Sequence, residues 1–263
     1  MSFQPVIPMS GYAGWRFLQR TLDSQKEAFV QSAPLQRNTT YFRENIAKVQ
    51  SAEDLVKDRR LLAVALGAFG LDDDINNKAF IRKVLEDGTI KERALSSRLA
   101  DKRYADFARS FGFGDFGSKT QFPGFADSIL ARYETKQFEA AVGAQDDQMR
   151  QALNLSAGLA EVVRGNSTKN GQWYAIMGNA PLRSVVQTAL GFPSSFARVG
   201  IDQQLDAFKD RARAVFGTDN VGDLTRPEAQ EKMIRLFMIR SDAAAASATS
   251  PGSVALSLLQ ARR

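Results

Sequence analysis

The sequence predicts an all-α protein, a globular multi-helix bundle of about ten helices joined by short Gly/Asp-capped loops. Three observations carry that expectation. Apolar residues recur at helical spacing along most of the chain. Glycine or aspartate punctuates the ends of these stretches, where helix caps are needed. No segment sustains period-two alternation, and no Asn-Gly or Asp-Gly turn has alternating apolar residues on both sides.

Residues 1–11 read as an extended segment, followed by a helical domain over 12–240 with a possible subdivision near 165–172. The first helix, about residues 12–31, places Trp15, Leu18, Leu22 and Phe29 on one face. Phe42, Ile46 and Val49 mark a second helix. Ser51 with Asp54 resembles a capping box, and opens a third carrying Leu55, Leu62, Leu66 and Phe69 inward as far as Gly70. Asp72, Asp73 and Asp74 then suit an N-cap and an acidic first turn, for a helix with Ile75, Ala79, Phe80 and Val84 that ends at Gly88. Thr89, Ile90 and Leu95 start another, and Phe107 and Phe111 close the next before Gly112.

Residues 112–123, rich in glycine and phenylalanine, read as a loop. Two long helices follow, about 124–142 and 145–164, and the polar stretch Gly165 to Gln172 breaks them from a short segment Trp173 to Met177. Pro181 fits the first turn of a helix reaching Leu190. Asp202 suits the cap of a helix with Leu205, Phe208, Ala212 and Val215, and Thr225 with Glu228 suits a capping box before Met233, Ile234, Phe237 and Met238. Residues 241–253 are low in complexity and read as a frayed helix end running into a flexible linker, before a C-terminal helical tail at 254–263. Several helix ends place an aromatic residue beside glycine (Phe69-Gly70, Phe111-Gly112, Phe216-Gly217), which fits a capping habit better than a duplicated unit.

The chain contains no cysteine and no histidine. Disulfides, thiol nucleophiles, imidazole bases and Cys/His zinc sites are therefore excluded, and carboxylate, Lys or Tyr chemistry remains. No catalytic, cofactor-binding or metal-binding residue is expected. Lys and Arg number 35 against 29 Asp and Glu, a net charge of +6. The signs are interleaved, as in Lys57-Asp58-Arg59-Arg60, which describes solvated helix faces better than a phosphate-tracking stripe. No apolar run approaches the roughly 18 residues of a transmembrane helix, and the first residues lack the pattern of a cleavable signal peptide.

Two chemical look-alikes fail on spacing. In Gly117-Ser118-Lys119-Thr120 a serine intrudes where a phosphate loop needs Gly-Lys-Ser/Thr, and a helix precedes it instead of a strand. Counting an EF-hand loop from Asp72 puts Asn77 where glycine is required and Lys83 where glutamate is. Glu139, Asp146 and Glu161 are candidates for a carboxylate pair, each expected as an exposed helix carboxylate. The candidate partner-contact residues are the aromatics in or beside the two breaks, Phe113, Phe116, Trp173 and Tyr174, with Trp173-Tyr174 also readable as core.

Two stretches resemble a known family. One runs from Asp58-Arg59-Arg60-Leu61-Leu62 through Leu66-Gly67-Ala68-Phe69-Gly70-Leu71-Asp72 to Ile75-Asn76-Asn77-Lys78-Ala79-Phe80-Ile81. The other comprises Trp173-Tyr174-Ala175-Ile176-Met177-Gly178, Pro181-Leu182-Arg183, Gly191-Phe192-Pro193-Ser194-Ser195-Phe196 and Ile201-Asp202-Gln203-Gln204-Leu205. Together they are similar to an uncharacterised alphaproteobacterial family, a domain of unknown function whose genes lie among flagellar genes. The resemblance implies a flagellum-associated protein, with other flagellar proteins as partners, located in the cytoplasm or exported through the flagellar export apparatus. It supplies no catalytic or cofactor residues.

The resulting expectation is a non-enzymatic protein acting through protein–protein contacts in flagellar assembly or structure. Neither Trp15, Leu18 and Leu22 nor Val254, Leu258 and Leu259 sustain the heptads of a coiled coil, which points to an accessory protein and not a filament subunit. The alternatives are a peptidoglycan-cleaving enzyme with a carboxylate pair and a basic regulator that binds nucleic acid.

Overall fold

The computed structural model describes residues 3–99 and 101–248. Fourteen α-helices and three short 3-10 helices make up its regular structure, and no strand occurs among the described residues. The fold is all-α, as the periodicity predicts. Contacts divide the chain into two units: residues 21–142 with the segment up to Val6, and residues 7–20 with everything from Gly143 onward. Helix α1 (Gly11–Val30) contributes its first turns to the second unit and its last turns to the first. The division falls at the end of a long helix, and the polar stretch 165–172 lies inside the second unit.

In the first unit, α2 (Ala33–Asn45) has Pro34 in its first turn, where a missing N–H costs nothing. The capping box before α3 (Ala52–Lys57) is formed in both directions: Asp54 N–H donates to Ser51 Oγ at 3.1 Å and Ser51 N–H to Asp54 Oδ2 at 3.0 Å. The single helix expected through Phe69 is broken at Asp58. That residue ends α3 in an extended conformation and caps α4 (Arg59–Gly67), its Oδ1 accepting from the N–H groups of Arg60 and Leu61 at 2.9 and 3.1 Å.

The three aspartates also depart from expectation. Asp72–Asn76 is a 3-10 turn, and α5 (Lys78–Asp87) starts after it with no side-chain cap. Its buried face is Ile81, Val84 and Leu85, whereas Ala79 is exposed and Ile75 and Phe80 are half-buried. Thr89 and Ile90 form a turn before the short α6 (Leu95–Arg98). Helix α7 (Arg103–Phe111) stops at Gly112, which takes φ +77°, a conformation an L side chain rarely adopts. A chain of edge-to-face aromatic contacts fills the core: Phe69 on Phe107 (5.3 Å), Phe107 on Phe111 (5.1 Å) and Phe111 on Phe125 (5.2 Å), the last opening α8 (Phe125–Gly143).

In the second unit, Asp146 caps α9 (Asp147–Gly165) through the N–H groups of Gln148 and Met149. Thr168 caps α10 (Lys169–Gly178), so the later part of the polar stretch builds the first turn of the helix that carries Trp173. Asn179 caps α11 (Ala180–Leu190), which ends at Gly191 with φ +83°. Helix α12 (Ile201–Phe216) begins after Gly200 with no side-chain cap: Asp202 lies inside its first turn and accepts from the Tyr174 hydroxyl at 2.7 Å. After the short α13 (Val221–Leu224), the Thr225 hydroxyl donates to the Gly222 carbonyl at 2.7 Å and forms no capping box.

Helix α14 (Pro227–Ala248) buries Met233, Ile234, Phe237 and Met238 as the periodicity predicts, and packs against α11. It continues through Ala243 to Ala246, well into the stretch expected to fray, because alanine is the best helix former. The remainder of the expected linker and the tail at 254–263 lie outside the described residues.

Candidate functional site

The loop from Gly112 to Gly124 carries exposed aromatic residues on a backbone anchored at both ends. Asp115 anchors it. Its Oδ1 accepts the N–H groups of Thr89 and Ile90 at 2.6 and 3.1 Å, and its Oδ2 accepts the Thr89 hydroxyl at 2.9 Å. Gly88 and Gly114 let the two backbones meet directly, since a Cβ on Gly114 would overlap main-chain atoms of Asp87 and Gly88. A second anchor lies at the other end: the Thr120 and Ser118 hydroxyls both donate to the Val49 carbonyl, at 2.6 and 3.3 Å, and Gln121 donates to the carbonyl of Ala47 at 3.2 Å.

This bracing decides which aromatics face inward. Phe113 is half-buried against Phe111, with ring centroids 5.8 Å apart. Phe116, one residue beyond the anchor, is 85 % exposed, Phe122 is 62 % exposed and Ile90 is 59 % exposed. Lone apolar residues on a surface are ordinary, but two phenylalanines and an isoleucine on one braced loop and its neighbouring turn are the makings of a contact surface. Phe122 and Ile90 were missed by the sequence reading. The sequence pattern assigns Ile90 to a helix, and Phe122 falls before a proline at the end of the aromatic-rich loop, where only Phe113 and Phe116 are singled out.

Burial alone would raise the Asp115 carboxyl, but the three donors from Thr89 and Ile90 outweigh it and hold it below the usual carboxylate range. The same loop has the composition of a phosphate cradle without its geometry. The N–H groups of Asp115 and Gly117 donate to the Gly112 carbonyl, that of Lys119 to Phe111 and that of Phe122 to Lys119. The Lys119 ammonium donates to the Arg109 carbonyl at 2.9 Å. A phosphate loop needs those donors directed at its ligand.

The two aromatics of α10 separate. Trp173 is fully buried, its indole N–H donating to the Asp219 carbonyl at 2.8 Å and its ring tilted against Phe208, 6.0 Å away. It is a core residue and not a contact residue, because its position on α10 points it into the packing of the second unit. Tyr174 is on the surface, with its hydroxyl on Asp202. Close by in sequence, Arg183 donates to Gln187 (3.1 Å) and Gln204 (2.5 Å). Gln187 in turn holds the Pro193 carbonyl at 2.7 Å, and Gln204 holds those of Ala197 (3.3 Å) and Val199 (2.5 Å). This network fixes the segment 192–200, where Phe192 and Phe196 stack at 4.2 Å. Buried glutamines that hold a loop leave no periodic signal, so spacing alone does not reveal them.

The carboxylate candidates are divided between the two units. Glu139, expected on the surface, is buried in the first unit and paired with Lys136 at 2.7 Å. Its position beside Phe138 on α8 puts it at the edge of the core. Asp146 is committed to the start of α9, and Glu161 is exposed near the other end of the same helix. About fifteen residues of helix separate those two by about 22 Å, beyond the range of glycosidase carboxylate pairs. Among the described residues, no group of three or more acidic side chains could hold a metal ion, and no helix is long and apolar enough to cross a membrane.

Comparison with known families decides the affiliation. The profile of a family described as "Protein of unknown function (DUF1217)" matches residues 68–229. The chain belongs to that family. The matched DUF1217 region includes the braced loop, the Arg183 network and most of both stretches that carried the sequence resemblance. Among solved structures, the chain is similar to the crystal structure of Protein AGR_C_984 from Agrobacterium tumefaciens, with a TM-score of 0.71 and 26 % identity over 91 % of this chain and 98 % of that one. Comparison with curated proteins finds no match.

Proposed function

We propose that this DUF1217 protein is a non-enzymatic, flagellum-associated protein that acts through protein–protein contacts in flagellar assembly or structure. The surface that does so is the loop Gly112–Gly124 with the turn at Ile90. The observation that carries the contact reading is the exposure of Phe116 and Phe122 on a backbone braced at both ends. Aromatic anchors held in one conformation lose little entropy on binding, so an apolar loop of this kind favours association. The flagellar setting rests on the two sequence stretches that resemble the flagellar-gene-cluster family, and the partners are other flagellar proteins. The protein acts in the cytoplasm or after export through the flagellar apparatus.

A photo-crosslinking residue at position 116, in cells with a working or a blocked flagellar export gate, tests this reading. A crosslink to one flagellar component, lost when the probe is moved to the buried position 111, supports it. Uniform labelling of unrelated proteins, or none at either position, refutes the loop as a contact surface. Protein recovered with basal bodies or in the medium only when the gate works places its action outside the cytoplasm. Protein retained in both strains makes it a cytoplasmic assembly factor.

A further inference from the structure

A different part of the first unit carries polar recognition chemistry that uses none of the loop's residues. An open cleft of about 370 Å³ lies along α2 and the start of α4, lined by Gln36, Arg37, Thr40, Tyr41, Glu44 and Arg60. Arg60 is pre-set within it. The guanidinium lies over the Tyr41 ring, 3.9 Å from its centroid, and one of its nitrogens donates to the Arg37 carbonyl at 3.1 Å. Tyr41 is fixed in turn by donating its hydroxyl to Asp58 Oδ2 at 2.7 Å.

Asp58 is the nearest acid in sequence, yet it does not neutralise Arg60 by direct pairing. One of its oxygens caps α4 and the other accepts from Tyr41. The ion pairs of the described residues include neither Arg37 nor Arg60, and Glu44 on the same cleft is also outside them. Arg60 makes one hydrogen bond through its guanidinium, so the rest of its planar donor fork is open to a ligand.

We infer that this cleft binds a short acidic segment of another protein, with Arg60 reading a carboxylate side chain and Arg37 beside it. The lining favours a peptide over a free oxyanion. Arg37, Arg60 and Thr40 offer donors. Glu44 offers an acceptor, and Gln36, whose amide nitrogen is held by the Val30 carbonyl at 2.8 Å, offers its amide oxygen. A peptide offers main-chain N–H donors to these acceptors together with a carboxylate for the arginines, whereas inorganic phosphate brings no such set of donors. The Tyr41 ring under the guanidinium removes the ordering cost that a free arginine would incur.

The test is a titration of the full chain, followed by amide NMR, with an acetylated and amidated peptide of alternating Glu and Ala, with its Gln counterpart, and with inorganic phosphate. Saturable shifts at Arg37, Thr40, Tyr41 and Arg60 are expected with the Glu peptide alone. R60K, which keeps the charge but loses the fork, weakens binding about tenfold, and R37Q, altering an exposed side chain, weakens it while leaving the fold intact. Several results would overturn the assignment: no saturable shifts, equal binding of the Gln peptide, binding that R60K and R37Q leave unchanged, or phosphate binding as tight as the peptide. None of them touches the crosslinking result at position 116, so the two proposals fail separately.

Discussion

The Asp115 carboxylate accepts both the main-chain N–H and the hydroxyl of Thr89, at 2.6 and 2.9 Å, and so ties the aromatic loop to the turn that follows α5. The consequence is positional. Ile90 and Phe116 are each the next residue after one member of this pair, and both are exposed. A loop held by a charged acceptor on two main-chain donors keeps its shape without a ligand, which suits a surface that must present side chains instead of closing around something.

This tie should weaken in acid. The Asp115 carboxyl sits below its ordinary value in the folded state, since its donors outweigh its burial. The stabilisation is therefore present above the unfolded value near 4 and is lost as pH falls through the folded value. Amide protection of Thr89 and Ile90, followed by NMR from pH 6 downward, should drop below about pH 4. The D115N variant should lack that step and melt a few degrees lower at neutral pH, given about 1–2 kcal/mol for hydrogen bonds to a partly screened charge. An unchanged protection profile in D115N would mean that the two glycines alone hold the loop.

The phenylalanines of the loop should separate by role. F116A removes a ring that is already in water, so stability should change by no more than roughly 0.5 kcal/mol while partner crosslinking falls. F111A deletes a fully buried ring with three aromatic neighbours and should cost about 3–5 kcal/mol. F113A should fall between them. Thermal melts of the three variants order them directly, and an F116A protein as unstable as F111A would make the loop core and not surface.

What the sequence revealed and what it concealed follow from how local each signal is. The Ser51–Asp54 box and the end of α7 at Gly112 depend on residues within a turn of each other, and both form as read. The apolar spacing from Leu55 to Phe69 places Asp58 inside one amphipathic helix. An aspartate on a solvent-facing position and an aspartate that caps the next helix look the same until its neighbours are placed. Trp173 and Phe116 are the reverse pair. Both are aromatics near glycine-containing breaks, yet one is sealed by Phe208 and the Asp219 carbonyl and the other is left in water. The partners that decide this are distant in sequence. Asp115 reaches back to Thr89, and Gln204 to Arg183, so neither anchor could be seen in the spacing.

The Arg183 network predicts where the second unit should loosen. Gln204 is nearly fully buried and connects Arg183 to the carbonyls of Ala197 and Val199. Q204L removes the link while keeping the volume, and leaves a half-buried guanidinium donor and the carbonyls of two exposed residues without it, at about 1–3 kcal/mol only for a group that water does not reach. Arg198, exposed within the segment that Gln204 fixes, then becomes a faster tryptic site. Cleavage after Arg198 at the wild-type rate in Q204L would show that the Phe192–Phe196 stack suffices to hold the segment.

The first turns of α1 offer a contest between polar and apolar attachment. Tyr12, Arg16 and Gln19, one helical turn apart in succession, all reach Glu231 of α14, at 2.6, 3.4 and 3.2 Å. Trp15 and Leu18, on the intervening positions, are buried. The Arg16 pair is exposed and contributes little, and the hydrogen bonds to a half-screened carboxylate contribute about 1–2 kcal/mol together. Losing the buried indole costs more, about 3–5 kcal/mol. Denaturant melts of W15A and E231A should therefore show the larger loss in W15A, and hydrogen exchange in E231A should rise over residues 12–19 of α1 without spreading along α14. If E231A were the more damaging change, the carboxylate and not the apolar stripe would be what holds this helix in the second unit.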